Sequence, residues 1–158
     1  VMNNNRKCHF IFLWLMALFL PLQLYAQKGL NINSLFGGQF RKQRDASEVL
    51  MKGRQLQGYN LTLFRSLTLP VATANAARVE ALVRADASAA IDKDAALRGK
   101  YLYYGFYQLQ PVGRTRRYLF YRNNSLRKDG ARQSSVTLIY MEGQATLDEL
   151  RRTFGKQR

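Results

Sequence analysis

The chain has 158 residues, 47% of them apolar, and 25 Lys and Arg against 10 Asp and Glu give a net charge of +15. That length suits one domain with a single core, and such a charge attracts polyanions over long range and weakens with salt. One Cys, one His and one Trp occur in the whole chain, so no intrachain disulfide can form, and imidazole or thiolate chemistry rests on Cys8 and His9 alone.

Residues 1–9 are polar and carry Arg6 and Lys7; Phe10 to Leu22 is apolar apart from Pro21; Leu24-Tyr25-Ala26 then sets a small residue before Gln27. This order predicts a secretory signal at 1–26 and a single mature domain at 27–158. A membrane anchor is the alternative, but a spanning helix needs about 20 apolar residues and this run is shorter. Cys8 precedes the apolar run, which argues against lipid attachment, so the product is expected to be soluble in the periplasm or outside the cell. Cleavage leaves 132 residues with 23 basic and 10 acidic side chains. It also removes Cys8, His9 and Trp14. Thiolate nucleophiles, His general bases, His/Cys zinc sites and His-ligated haem are then all excluded, and the expectation is no cofactor, no metal and no enzyme. In an exported protein the anions that match the charge are lipopolysaccharide phosphates, acidic glycans, anionic headgroups or an acidic partner protein; a solvated surface with no single ligand is the competing reading.

Along the mature chain, Leu30, Ile32, Leu35 and Phe36 suggest one or two helical turns, ended by Gly37-Gly38. Ser47–Lys52 reads as a short strand stopped by Gly53. From Tyr59 to Leu69, Leu61, Leu63, Leu67 and Leu69 share one parity, the period of a half-buried strand; the two strands are expected to form a hairpin through 54–58. Residues 72–90 predict a helix whose Ala72, Ala76, Val79, Val83, Ala87 and Ala90 make one buried stripe. Glu80 and Arg84 are spaced as a surface pair. Asp92-Lys93-Asp94 reads as the exit loop. Tyr101–Gln110, Arg116–Asn123 and Ser134–Glu142 predict three more strands, with turns at Pro111–Arg114 and Asp129-Gly130. Thr146 and Glu149 form a T-x-x-E capping box at the start of a last helix. Leu147, Leu150 and Phe154 share a face of that helix, and Arg151 and Arg152 suit its negative end. The expected fold is α+β: an antiparallel sheet of four or five strands with two helices packed on one face.

Ala26-Gln27, Val49-Leu50-Met51-Lys52-Gly53, Leu61-Thr62-Leu63-Phe64-Arg65-Ser66-Leu67 and Val136-Thr137-Leu138-Ile139-Tyr140-Met141-Glu142-Gly143 before a Leu-rich helix together resemble small exported Bacteroidetes proteins of unknown function. The resemblance implies a Gram-negative envelope location and supplies no catalytic residues.

Two constellations stand out. Arg114, Arg116, Arg117, Arg122, Arg127, Lys128 and Arg132 interleave with Tyr118, Phe120 and Tyr121. With Tyr101, Tyr103, Tyr104, Phe106 and Tyr107 they would make a face of rings and guanidinium groups that holds phosphates or sugars. The competing reading is core aromatics with arginines guarding exposed edges. Paired acids suited to glycoside hydrolysis, Asp92 with Asp94 and Asp148 with Glu149, are better explained by a loop and a helix start. The leading expectation is a non-catalytic interaction or structural module of the envelope. A polyanion-binding module for lipopolysaccharide, acidic glycan or nucleic acid is the alternative, and a carboxylate enzyme a distant third.

Overall fold

Apolar and aromatic runs, one of them alternating, and the turns between them build most of six strands: β1 (Ser47–Lys52), β2 (Leu61–Pro70), β3 (Asp92–Arg98), β4 (Tyr101–Val112), β5 (Thr115–Asn123) and β6 (Ser135–Gly143). They form one sheet in the order β1-β2-β6-β5-β4-β3, antiparallel throughout. The computed structural model describes residues 29–71, 76–127 and 134–154. The expected signal at 1–26, the helix start at 72–75 and the Asp129-Gly130 turn lie outside the described residues. Asn31–Arg158 clusters as one unit.

Two α-helices are described, α1 (Ala76–Ala87) and α2 (Leu147–Phe154), together with 3-10 segments at Asn31–Leu35, Gly53–Tyr59 and Asn124–Leu126. No described helix is long and apolar enough to cross a membrane. The stripe expected on α1 is present: Val79, Val83 and Ala87 are buried. Glu80 and Arg84 pair at 2.8 Å, and Glu80 also accepts the backbone N–H of Leu102 at 2.9 Å, which ties α1 to β4. The first 3-10 segment is fastened to α1 by Asp86, whose carboxylate accepts the N–H groups of Asn31 and Ile32, each at 2.9 Å.

The expectation of four or five strands with two helices on one face fails in three respects. The sheet has a sixth strand, β3, where an exit loop was expected. The helical content is larger, since the 3-10 segments add to the α-helices. The two α-helices also lie on opposite faces. Leu150 of α2 packs in a cluster with Tyr118, Phe120, Phe106 and Met141. Strand alternation sends Leu119 and Tyr121 to the other side, where the charges of Glu80 and Arg84 on α1 reach Tyr107 and Tyr121. Both faces are therefore apolar at the centre: Tyr118, Leu119 and Tyr121 are fully buried and Phe120 nearly so. Burying such a side chain contributes about 1.5–3 kcal/mol.

Two irregularities re-aim side chains. A register shift between Leu61 and Leu63 turns Leu61 into the α2-side cluster. Leu61 therefore does not share a side with Leu67 and Leu69, as strict alternation implied. Phe64 lies on the α2 side too, its ring stacked 6.1 Å from that of Phe154. The second shift, opposite Ala96 and Leu97, skips Tyr103 in the pairing of β3 with β4.

Candidate functional site

Residues 118, 120 and 122 of β5 share the α2 face of the sheet, and the helix divides them. The capping box forms as the spacing implies: Thr146 N–H donates to Glu149 Oε2 at 2.6 Å, and Glu149 N–H donates to Thr146 Oγ1 at 3.3 Å. The Thr146 N–H bond, and after it the bond its hydroxyl donates to the same Oε2 at 3.0 Å, hold the Glu149 carboxyl below its ordinary pKa of 4.5. Ala145 and Leu150 both enter the core there. Below α2, the Tyr118 hydroxyl donates to the Ala145 carbonyl at 2.6 Å, and burial pushes its pKa up. Phe120 meets Tyr104 edge to face, with centroids 5.6 Å apart. Tyr118 and Phe120 are thus core residues, with no surface to offer a ligand.

The basic side chains of the 114–132 stretch are also dispersed. Arg116 Nη1 donates to the Gln144 carbonyl at 2.9 Å and so braces the approach to α2. Arg117 faces the opposite side of the sheet, with its Nε donating to the Gln110 carbonyl at 2.7 Å. Nearby, Tyr140 donates to Glu142 at 2.6 Å. Arg114 and Arg127 are exposed, and Arg127 is engaged in an interaction of its own. Lys128 and Arg132 lie outside the described residues. No continuous basic face joins these groups among the described residues. Tyr101 is 50% exposed and carries Lys100 Nζ 5.4 Å from its ring centroid.

Arg122, Tyr103 and Tyr104 are sequence-selected residues that the structure brings together. Past the reach of α2, the same sheet face opens into a pocket of about 410 Å³ lined by Asp94, Ala96, Arg98, Tyr103, Tyr104 and Arg122. Asp94 and Ala96 stand opposite Phe106 and Tyr104 in register, and Tyr104 stands opposite Arg122, so strand pairing alone sets these groups side by side. The bulge at Tyr103 supplies the rest, because it puts two consecutive tyrosines on one side of β4. Two guanidinium groups converge on the Tyr103 ring: Arg98 at 5.0 Å and Arg122 at 5.7 Å from its centroid. Arg122 Nη2 also donates to the Tyr103 hydroxyl at 3.3 Å.

Arg122 is only 7% exposed. Its Nε–H is buried and has no hydrogen-bond partner among the described residues. A buried cationic donor without an acceptor is costly. An anionic group in the pocket would offset the guanidinium charge there. Arg98 was not singled out from the sequence, and Asp94 and Tyr104 were named in separate constellations, as a paired acid and as a member of the aromatic face. The available signal was the period-two spacing of Asp94, Ala96 and Arg98, which shows only once β3 is read as a strand.

The paired acids take separate places. Asp92 lies on β3, not in a loop, 3.7 Å from Arg151; Asp148 lies 4.0 Å from the same residue, and Glu149 is committed to the capping box. Among the described residues no group of three or more His, Cys, Asp or Glu gathers as a metal would require.

Neither a curated protein nor a solved structure matches the chain. One family model matches residues 19–154, and the chain belongs to that family, the family of unknown function DUF6108.

Proposed function

We propose that this chain is an exported, non-catalytic binding module that holds an anionic group of its ligand between Arg98 and Arg122, against the Tyr103 ring. The observation that carries this reading is the pocket of about 410 Å³ lined by Arg98, Tyr103 and Arg122, with the two guanidinium groups 5.0 and 5.7 Å from the centroid of the same ring. The pocket has the size of a small-ligand site and combines an aromatic plane with fixed donors. Carboxylated or phosphorylated sugars suit both features: the ring packs on a sugar face while the guanidinium groups take the charge. The polyanion reading thus narrows from a long basic stretch to one recess. The export reading rests on the 1–26 pattern, and intact-mass analysis of the protein recovered from its own envelope tests it, with a mature start at Gln27 expected.

Titration with glucuronate, inorganic phosphate and uncharged glucose, followed by calorimetry, tests the binding reading. Saturable, salt-sensitive binding of the two anions and none of glucose is expected, with loss of binding in Arg122→Met and in Arg98→Met. Equal behaviour of wild type and both variants would refute the site. Turnover of a glycan, peptide or phosphoester by the purified protein would refute the non-catalytic reading.

A further inference from the structure

The two edges of the sheet are unlike. At the β3 edge Leu97 is as exposed as Leu50, at 56%, but Asp92 pairs with Arg151 and the pairing of β3 with β4 is interrupted by a bulge. Such features keep an edge from recruiting another strand. At the β1 edge, Val49 and Leu50 are 45% and 56% exposed, on opposite faces of an uninterrupted six-residue strand. Among the described residues no strand pairs with its outer side. Glu48, Leu50 and Lys52 are all exposed and, by alternation, share one face of the sheet. Lys52 is still in extended backbone, with φ −143° and ψ 153°.

This spacing is self-complementary. If a second β1 is laid antiparallel with Leu50 opposite Leu50, Glu48 falls opposite Lys52 and Lys52 opposite Glu48. On the other face, Val49 falls opposite Met51. Opposite charges directly across an antiparallel pair attract, and apolar pairs pack. The Glu48 carboxylate accepts the N–H groups of Gly37 and Gly38 at 2.9 and 2.8 Å. Those bonds fix its position. We infer that β1 is a homodimer edge: a second copy of this chain adds its own β1 about a two-fold axis at Leu50, making one twelve-stranded sheet. The two-fold arrangement is closed, so it ends at two chains instead of growing.

Sedimentation of the protein purified from its full-length gene tests this, over a range of concentrations. A monomer–dimer equilibrium is expected. Lys52→Glu turns both charge pairs from attractive to repulsive and raises the dissociation constant about tenfold. Leu50→Lys sets two like charges together at the axis and leaves a monomer. Mixing Glu48→Lys with Lys52→Glu restores both pairs between unlike chains, so the mixture dimerises more tightly than either variant alone. A chain that stays monomeric at every concentration, a dimer indifferent to Lys52→Glu and Leu50→Lys, or a mixture no tighter than its parts would each overturn the proposal. Thermal unfolding of each variant separates loss of pairing from loss of fold.

Discussion

One face of the sheet has two halves with opposite uses. Tyr118 and Phe120 lie under α2 and are closed to solvent. Arg122 lies on the same face of the same strand, two residues beyond Phe120, and opens into a pocket. The difference comes from length. An eight-residue helix spans about 12 Å, whereas Tyr118 and Arg122 stand about 13 Å apart along β5, on a sheet whose six strands at about 4.8 Å spacing spread over roughly 24 Å. The helix cannot cover the face, and sequence chemistry follows the shadow it casts: rings without charge beneath it, guanidinium groups beyond it. A stretch that reads as a uniform basic and aromatic run is thus a core on one side of a boundary and a recess on the other.

The boundary can be broken from several directions. The largest effect is expected from Tyr118→Ala or Phe120→Ala, each costing about 3–5 kcal/mol through the cavity left under α2. Urea unfolding measures it; a cost below about 1 kcal/mol would mean that these rings are not core. Next comes Gly143→Ala, at the turn that delivers α2 to the face. A Cβ there would meet the Asn60 carbonyl oxygen and lie 2.6 Å from Leu61 Cα, backbone that cannot swing aside, so about 1–3 kcal/mol should be lost. Circular dichroism melts of the variant check this.

Thr146→Ala removes one half of the capping box and should cost about 1 kcal/mol. Here pH sharpens the comparison. Hydrogen bonds from Thr146 lower the Glu149 pKa in the folded state. The stabilisation is therefore fully present above the ordinary carboxyl value of 4.5 and fades as pH falls through the lower folded value. The gap between wild type and Thr146→Ala should narrow in acid; a gap that widens there would contradict the assignment. The smallest stability effect belongs to the open half. Arg122→Met exchanges a buried cation with an unpartnered donor for an apolar chain and should be neutral or mildly stabilising, in contrast to the loss at Tyr118.

Much of this was legible in the chain. The T-x-x-E spacing gave the start of α2, the Val79, Val83 and Ala87 stripe gave α1, alternation gave β2, and apolar and aromatic runs gave β4, β5 and β6. β3 was hidden because Asp92-Lys93-Asp94-Ala95-Ala96-Leu97-Arg98 is an exposed edge and lacks the apolar period that marks a half-buried strand. Periodicity says which residues are buried but not which side of a sheet a helix crosses, so the two helices were set on one face when they occupy both. The site suffered from the same blindness. Parity on β5 separates Arg116 and Arg122 from Arg117, but only the extent of α2 separates Arg122 from Tyr118. The bulge that turns Tyr103 toward Arg122 has no glycine to announce it. Val49 and Leu50, read as a short strand, gave no sign of standing at an edge until the strand order was known.

The most direct test of the open half is the urea midpoint of wild type and Arg122→Met with and without glucuronate. A ligand that binds only the folded state raises the midpoint in proportion to the logarithm of its saturation. The expected result is a wild-type midpoint that climbs with glucuronate and not with glucose, and an Arg122→Met midpoint that starts no lower and does not move. An Arg122→Met protein that responds to glucuronate as wild type does would contradict the assignment of this recess as the binding site.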